Sequence, residues 1–260
     1  MTIQASLEQS APSSRAWLKA FGNTVVDLLF PPRCVACHRL GAWLCPDCQA
    51  RIEVIRPPVC RWCGLPLEES ASLPLASLRH APGAGDHCRE GPREFDGLLA
   101  YAFHTGPLRQ AIHALKYEDL RSLAAPLGKL MAEGWSTLAP RNYDMDVIVP
   151  VPLHSSRQRE RGYNQATLLA RELGTRLQRP VVEDVLIRVR ATAPQVGLNV
   201  QERRANVHGA FQCVNARLAG QRVLLVDDVC TTGATLEAAC AALRKEGVSS
   251  VWAYTLARAR

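Results

Sequence analysis

The spacing of apolar residues changes twice along the chain and divides it into three parts. In the first, 1–30, Trp17, Leu18, Phe21, Val25, Leu28 and Leu29 recur at near-helical intervals, which predicts an amphipathic helix over 15–30 that docks on the protein's own core. Pro31 and Pro32 end it, because a proline ring cannot continue the hydrogen-bond ladder. In the second, 31–92, helical and strand periodicity both disappear. The text is rich in Cys, Pro and Gly, includes an irregular stretch at 68–86, and has too few apolar residues to build a core alone. In the third, 93–260, strand-like and helix-like patterns alternate, the mark of an open α/β sheet.

Within that last part, helices are expected at 107–116 and 121–134 and a buried strand at 146–152, followed by a helix at 163–177 and a strand inside 180–190. A polar loop is expected at 191–206, a short strand at 207–211 and a buried strand at 222–229. A helix at 235–247, closed by Gly247, and a final strand at 248–256 complete the pattern.

Composition narrows the classes. A chain of 260 residues can bury one full core and carry a small satellite. Hydrophobic residues at 47% and charged residues at 21% are ordinary for a globular protein and exclude a disordered one. No apolar run reaches the roughly 20 residues a spanning helix needs, so no integral membrane span is expected. The opening MTIQASLEQSAPSSR lacks the basic start and continuous apolar region of a secretory signal, and a cytoplasmic location is expected. The net charge of +7 suits phosphate-rich ligands or nucleic acid and selects neither.

Of the ten cysteines, seven lie between Cys34 and Cys88. In a reducing compartment such clustering indicates metal rather than disulfides. Cys34 and Cys37, Cys45 and Cys48, and Cys60 and Cys63 form three C-x-x-C knuckles, each able to bring two thiolates to one tetrahedral ion, with structural zinc the default and an iron–sulfur cluster the alternative. The first two knuckles complete a four-thiolate set. The third needs partners, which Cys88 with His87 or His80 can supply, making a double ribbon; spacing also allows Cys34 and Cys37 to pair with Cys60 and Cys63 instead. Cys213, Cys230 and Cys240 are scattered and read as small buried side chains.

The most informative segment runs from Val223 to Thr235, VLLVDDVCTTGAT. Its four leading apolar residues predict a buried parallel strand whose C-terminal end opens on the ligand crevice of an α/β sheet. Asp227 and Asp228 follow, as carboxylates able to accept hydrogen bonds from paired sugar hydroxyls. Thr231, Thr232, Gly233, Ala234 and Thr235 then make a small-residue turn at a helix start, where backbone N–H groups and hydroxyls can wrap a phosphate. Neither a G-x-x-x-x-G-K-[ST] nor a G-x-G-x-x-G string occurs. A second basic segment follows the strand at 146–152: His154, Arg157, Arg159 and Arg161 lie between a strand end and a helix start. There, guanidinium forks and helix N–H groups suit a polyanion.

The segment Val223 to Thr235 resembles the binding motif of type I phosphoribosyltransferases. PVPLHSSRQRERGYNQA at 150–166, ALKY at 114–117 and the cysteine module together resemble the ComF family over residues 28–260. That family carries a further C-x-x-C ahead of its phosphoribosyltransferase domain; here Cys88 holds the second position and Gly85 the first, which puts the second metal site in doubt.

The resemblance implies a type I phosphoribosyltransferase-like parallel sheet flanked by helices, with a small N-terminal zinc-ribbon module. It implies phosphoribosyl pyrophosphate bound with Mg²⁺, with Asp227 and Asp228 on the ribose and Thr231 to Thr235 around the 5-phosphate. His154, Arg157, Arg161 and Lys116 would lie near the pyrophosphate, and 190–206, with Gln195 and Arg203, would close over the ligand. It further implies a role in DNA uptake or DNA utilisation, with single-stranded DNA and DNA-uptake or recombination proteins as partners. Two functions follow from it: a phosphoribosyltransferase, and a non-catalytic single-stranded-DNA-binding or nucleotide-sensing module using the same pocket. Pyrophosphate release separates them.

Overall fold

The computed structural model describes residues 31–67, 94–141, 143–191 and 200–260. The helix expected at 15–30, the stretch 68–86, His80, His87, Cys88 and Gln195 lie outside the described residues, as does the side chain of Arg203. The strands are β1 (Gly97–Phe103), β2 (Val147–Pro150), β3 (Leu186–Arg188), β4 (Phe211–Cys213), β5 (Arg222–Cys230) and β6 (Ser250–Arg258). The helices are α1 (Pro46–Ala50), α2 (Gly106–Tyr117), α3 (Ala124–Leu138), α4 (Ser155–Arg161), α5 (Gln165–Leu177), α6 (Val200–Val207) and α7 (Ala234–Lys245).

Four parallel strands form the central sheet in the order β1-β6-β5-β2, while β3 and β4 pair antiparallel beside it. Helices cover both faces, so each strand is apolar on both sides and its residues alternate between two cores. On one side Ile148, Leu224, Val226, Tyr254 and Leu256 pack with α2, α3 and α5. On the other, Val147, Val149, Val223, Leu225, Val251 and Ala253 pack with α7 and the β3–β4 ribbon. Helices α3 and α5 cross closely, and a Cβ at Gly128 would collide with the side chain of Glu172.

The departures from expectation are local. The run GLLAYAF at 97–103 is a strand the periodicity did not assign. Residues 200–207 are helical rather than loop, and the short strand falls at Phe211–Cys213 instead of 207–211. The basic segment expected to be a loop is helix α4, started by His154, whose Nδ1 accepts from the Ser156 N–H, and ended by Gly162 at φ 78°. The run SSRQRER reads as polar loop because no apolar stripe marks it, yet caps at both ends suffice for two turns.

The cysteine module shares the core of the large domain: Cys34, Leu44, Cys45, Cys48 and Ile52 join the cluster that contains Leu108, Ile112 and Leu127. Its backbone also lines β1. Ile55 N–H donates to Tyr101 O (2.9 Å), Phe103 N–H to Glu53 O (2.9 Å) and Leu98 N–H to Arg61 O (2.7 Å). The sheet edge at β1, whose exposed N–H and C=O groups would invite pairing with other chains, is thereby covered.

Candidate functional site

The C-terminal ends of β2 and β5 open on a cavity of about 320 Å³, the crevice position that open α/β sheets offer to ligands. Strand β5 runs on through both aspartates to Cys230. Asp228 is therefore buried, with only 3% of its surface exposed, rather than standing outside the core as a strand-end residue would; Asp227 is half-buried beside it. Both line the cavity together with Thr231, Gly233, Ala234 and Thr235 of the turn into α7. Gly233 has φ 86°, a left-handed conformation that L side chains resist, so the tight turn depends on a glycine there. Thr232 is absent from the lining; its Oγ1 accepts from Ala234 N–H and steadies the turn instead. The N–H groups of Thr231, Thr232 and Gly233 meet no acceptor among the described residues.

Opposite the turn stand cations from three other elements: Lys116 at the end of α2, Arg157 on α4 and Arg188 on β3. Lys116 Nζ is 2.9 Å from Asp228 Oδ2. Burial alone would lower the lysine's pKa, but the charge and hydrogen bonding of Asp228, helped by Asp227, outweigh it and the net shift is upward. Burial first, and then the neighbouring Asp228, push the Asp227 carboxyl up to about 7, against the opposing pull of Lys116 and Arg188. Arg188 lies over the Phe211 ring at 5.3 Å. Its pKa is lowered by burial and by Arg157, with Asp227 opposing. His104 also lines the cavity, and burial followed by Lys116 and Arg109 holds it below the usual histidine range.

Helix α4 separates the three arginines expected to act together. Residues four apart share a helix face and residues two apart do not, so Arg157 reaches the cavity and Arg159 is exposed on another side. Arg161 lies outside the lining. Its Nη1 donates to Gln165 Oε1 (2.5 Å) and its guanidinium covers the Tyr117 ring at 5.2 Å, which orients the buried Gln165 that does line the cavity. His154 serves as the cap of α4 and is likewise outside the lining. Sequence reasoning missed His104 and Arg188. The former follows an apolar run that periodicity left unassigned, and the latter sits in a strand whose place beside the cavity is set by long-range pairing.

The second candidate centre is the thiol cluster. The sulfurs of Cys34, Cys37, Cys45 and Cys48 all lie within 4.8 Å of one another, and Cys37 Sγ is 3.6 Å from Cys45 Sγ. Zinc–sulfur bonds of about 2.3 Å in a tetrahedron put sulfurs roughly 3.8 Å apart, so the donor set fits zinc. The protons are unevenly held. Although burial works against it, backbone N–H groups from Cys45, Ala36 and Cys37 bring Cys34 down to about 6. Burial drives Cys48 up to about 12 despite Arg51, whose Nη2 donates to its sulfur at 3.0 Å. A divalent ion relieves this conflict by replacing the protons on all four. No disulfide joins any of the described cysteines. Cys60 and Cys63 are buried in a small cluster with Leu65, and their expected partner Cys88 lies outside the described residues.

Comparison with known proteins places this geometry. Residues 25–82 match the double zinc ribbon domain and residues 139–260 the phosphoribosyl transferase domain. Competence protein F of Haemophilus influenzae is 32% identical over 236 residues, covering 87% of this chain and 97% of that protein. DNA utilization protein YhgH of Salmonella typhimurium is 32% identical over 238 residues, covering 89% of this chain and 99% of that one. Among solved structures, a glutamine phosphoribosylpyrophosphate amidotransferase from B. subtilis aligns with 52% of this chain and 26% of its own, at 21% identity and a TM-score of 0.36. With near-complete coverage of such relatives and both domains present in order, the chain belongs to the ComF family, a double zinc ribbon joined to a phosphoribosyltransferase domain.

Proposed function

We propose that the chain binds phosphoribosyl pyrophosphate with Mg²⁺ in the cavity at the ends of β2 and β5, and serves DNA uptake or utilisation from the cytoplasm. One observation carries this reading. A carboxylate pair, a small-residue turn with N–H groups that meet no acceptor among the described residues, and cations from three further elements surround a single cavity. The turn suits a phosphate monoester and the cations a pyrophosphate, while Asp227 and Asp228 suit the sugar between them. The pocket also suits Mg²⁺, which takes one or two carboxylates plus substrate phosphates. Asp228 Oδ2 is buried and its charge is answered by Lys116. Bound there, Mg²⁺ would add charge neutralisation to a departing pyrophosphate.

The chemistry this supports is displacement at C1 of the ribose. The C1–O bond to pyrophosphate breaks, Lys116, Arg157 and Arg188 take up the leaving charge, and the aspartates face the positive charge that develops on the ring. Asp227, titrating near neutrality, can receive the proton an acceptor loses as it bonds to C1.

Calorimetry with phosphoribosyl pyrophosphate, with and without Mg²⁺, tests the reading. The parent protein should bind, Arg157→Ala should weaken binding by about tenfold or more, and Arg159→Ala should leave it unchanged. Absence of binding by the parent protein would remove the proposal. An acceptor screen read by pyrophosphate release then decides between turnover and a binding module.

A further inference from the structure

The last residue of β6, Arg258, has 2% of its surface exposed, and its guanidinium is spent on main-chain oxygens. Its Nε donates to Cys63 O (2.9 Å), and its Nη1 contacts Cys230 O (3.2 Å), Ala259 O (3.0 Å) and, most closely, Thr231 O. Among the described residues no carboxylate lies within ion-pair distance of it. A buried, permanent cation answered, among the described residues, only by carbonyl dipoles is costly. A neutral donor would serve if holding the chain were its whole purpose.

Two of those carbonyls, that of Cys230 at the end of β5 and that of Thr231, lead into the phosphate turn. In a trans peptide the N–H points opposite to the C=O, and the only cis bond among the described residues is Pro57–Pro58. With the Cys230 and Thr231 carbonyls turned to Arg258, the N–H groups of the same peptides, those of Thr231 and Thr232, are directed to the other side. They meet no acceptor among the described residues, and Thr231 and Gly233, the residues on either side of Thr232, line the cavity. A cation at the carbonyl end polarises a peptide group and makes its N–H a stronger donor, an effect that low dielectric enlarges.

We propose that Arg258 is a positioning residue for the phosphate turn: its buried charge sharpens the N–H groups of Thr231 and Thr232 for a phosphate monoester, and Cys63 of the third knuckle fixes it there. The inference rests on the ligand reading above. It also makes the cysteine module part of the phosphate site, because the guanidinium that grips Cys63 also grips the turn.

The test uses the zinc-loaded full chain and two probes that report on different ends of the cavity, ribose 5-phosphate for the turn and Mg²⁺-pyrophosphate for the cations opposite. Arg258→Gln, neutral but still a donor, should weaken ribose 5-phosphate by about tenfold or more while Mg²⁺-pyrophosphate binds within about twofold of the parent. Arg258→Lys, which restores the charge, should recover ribose 5-phosphate to within about threefold. A variant that merely loosened the fold would lose both probes together. Arg258→Gln binding ribose 5-phosphate like the parent, or losing both probes equally, overturns the role of Arg258. Should the glutamine variant fail to fold, Arg258→Lys decides alone: retention of ribose 5-phosphate upholds the role, and a selective tenfold loss overturns it. A parent that binds neither probe overturns the ligand reading of the cavity and this inference with it.

Discussion

Lys116 Nζ lies 2.9 Å from Oδ2 of Asp228, joining the end of α2 to the end of β5 across the cavity. The aspartate side chain is almost wholly buried and the lysine side chain one-fifth exposed. Removing one partner leaves a buried charge without an answer, which costs more than the pair contributes.

Lys116→Met should therefore destabilise the protein by about 3 kcal/mol and abolish pyrophosphate binding. The double variant Lys116→Met with Asp228→Asn should recover most of the stability but none of the binding. Denaturant unfolding with calorimetry on all three chains checks it. A single variant as stable as the parent would show that the pair is not an energetic unit.

Asp227 makes stability depend on pH in the opposite sense to an ordinary paired carboxylate. Its folded pKa is raised from 3.8 to about 7, so the folded state binds more protons than the unfolded state between those values. Stability then falls as pH rises through that window and levels off above it. Asp227→Asn should raise the melting temperature most at pH 8 and progressively less toward pH 4, while weakening ligand binding throughout. Melting curves at pH 5 and pH 8 that show the same increment would contradict the assignment.

The thiol cluster should hold zinc, and the cover over β1 should depend on it. Elemental analysis should find at least about one zinc per chain in the parent, and Cys45→Ser should lose about one equivalent. Because Ile55, Glu53 and Arg61 pair with β1, the variant should also melt lower and aggregate on warming, as an uncovered strand edge does. A stable variant with unchanged metal content would exclude Cys45 as a ligand.

Much of this was legible in the residues. The first two C-x-x-C knuckles announce metal chemistry through their spacing, and their four sulfurs converge. The strand, acidic pair and small-residue turn at 223–235 sit together because a strand end and a helix start are adjacent in sequence. Helices α2, α3, α5 and α7 could be read because each keeps an apolar stripe against the sheet. Helix α4 could not, because its caps rather than a stripe hold it, and its turns carry Arg159 and Arg161 away from the cavity that Arg157 lines. Strand β1 was missed because GLLAYAF lacks the β-branched residues that marked β2 and β5 as strands.

By itself, then, the sequence determined the α/β class, the metal-binding module and the adjacency of the acidic pair to the small-residue turn, since each depends on residues a few positions apart. Only the tertiary structure decided which cations face the aspartates, that Asp228 is buried against Lys116, and that His104 and Arg188 complete the wall. It alone tied Arg258 to both Cys63 and Thr231. These contacts depend on strand order and helix packing, which bring distant segments together through burial and backbone pairing, and no local pattern of residue types encodes which side chains then meet.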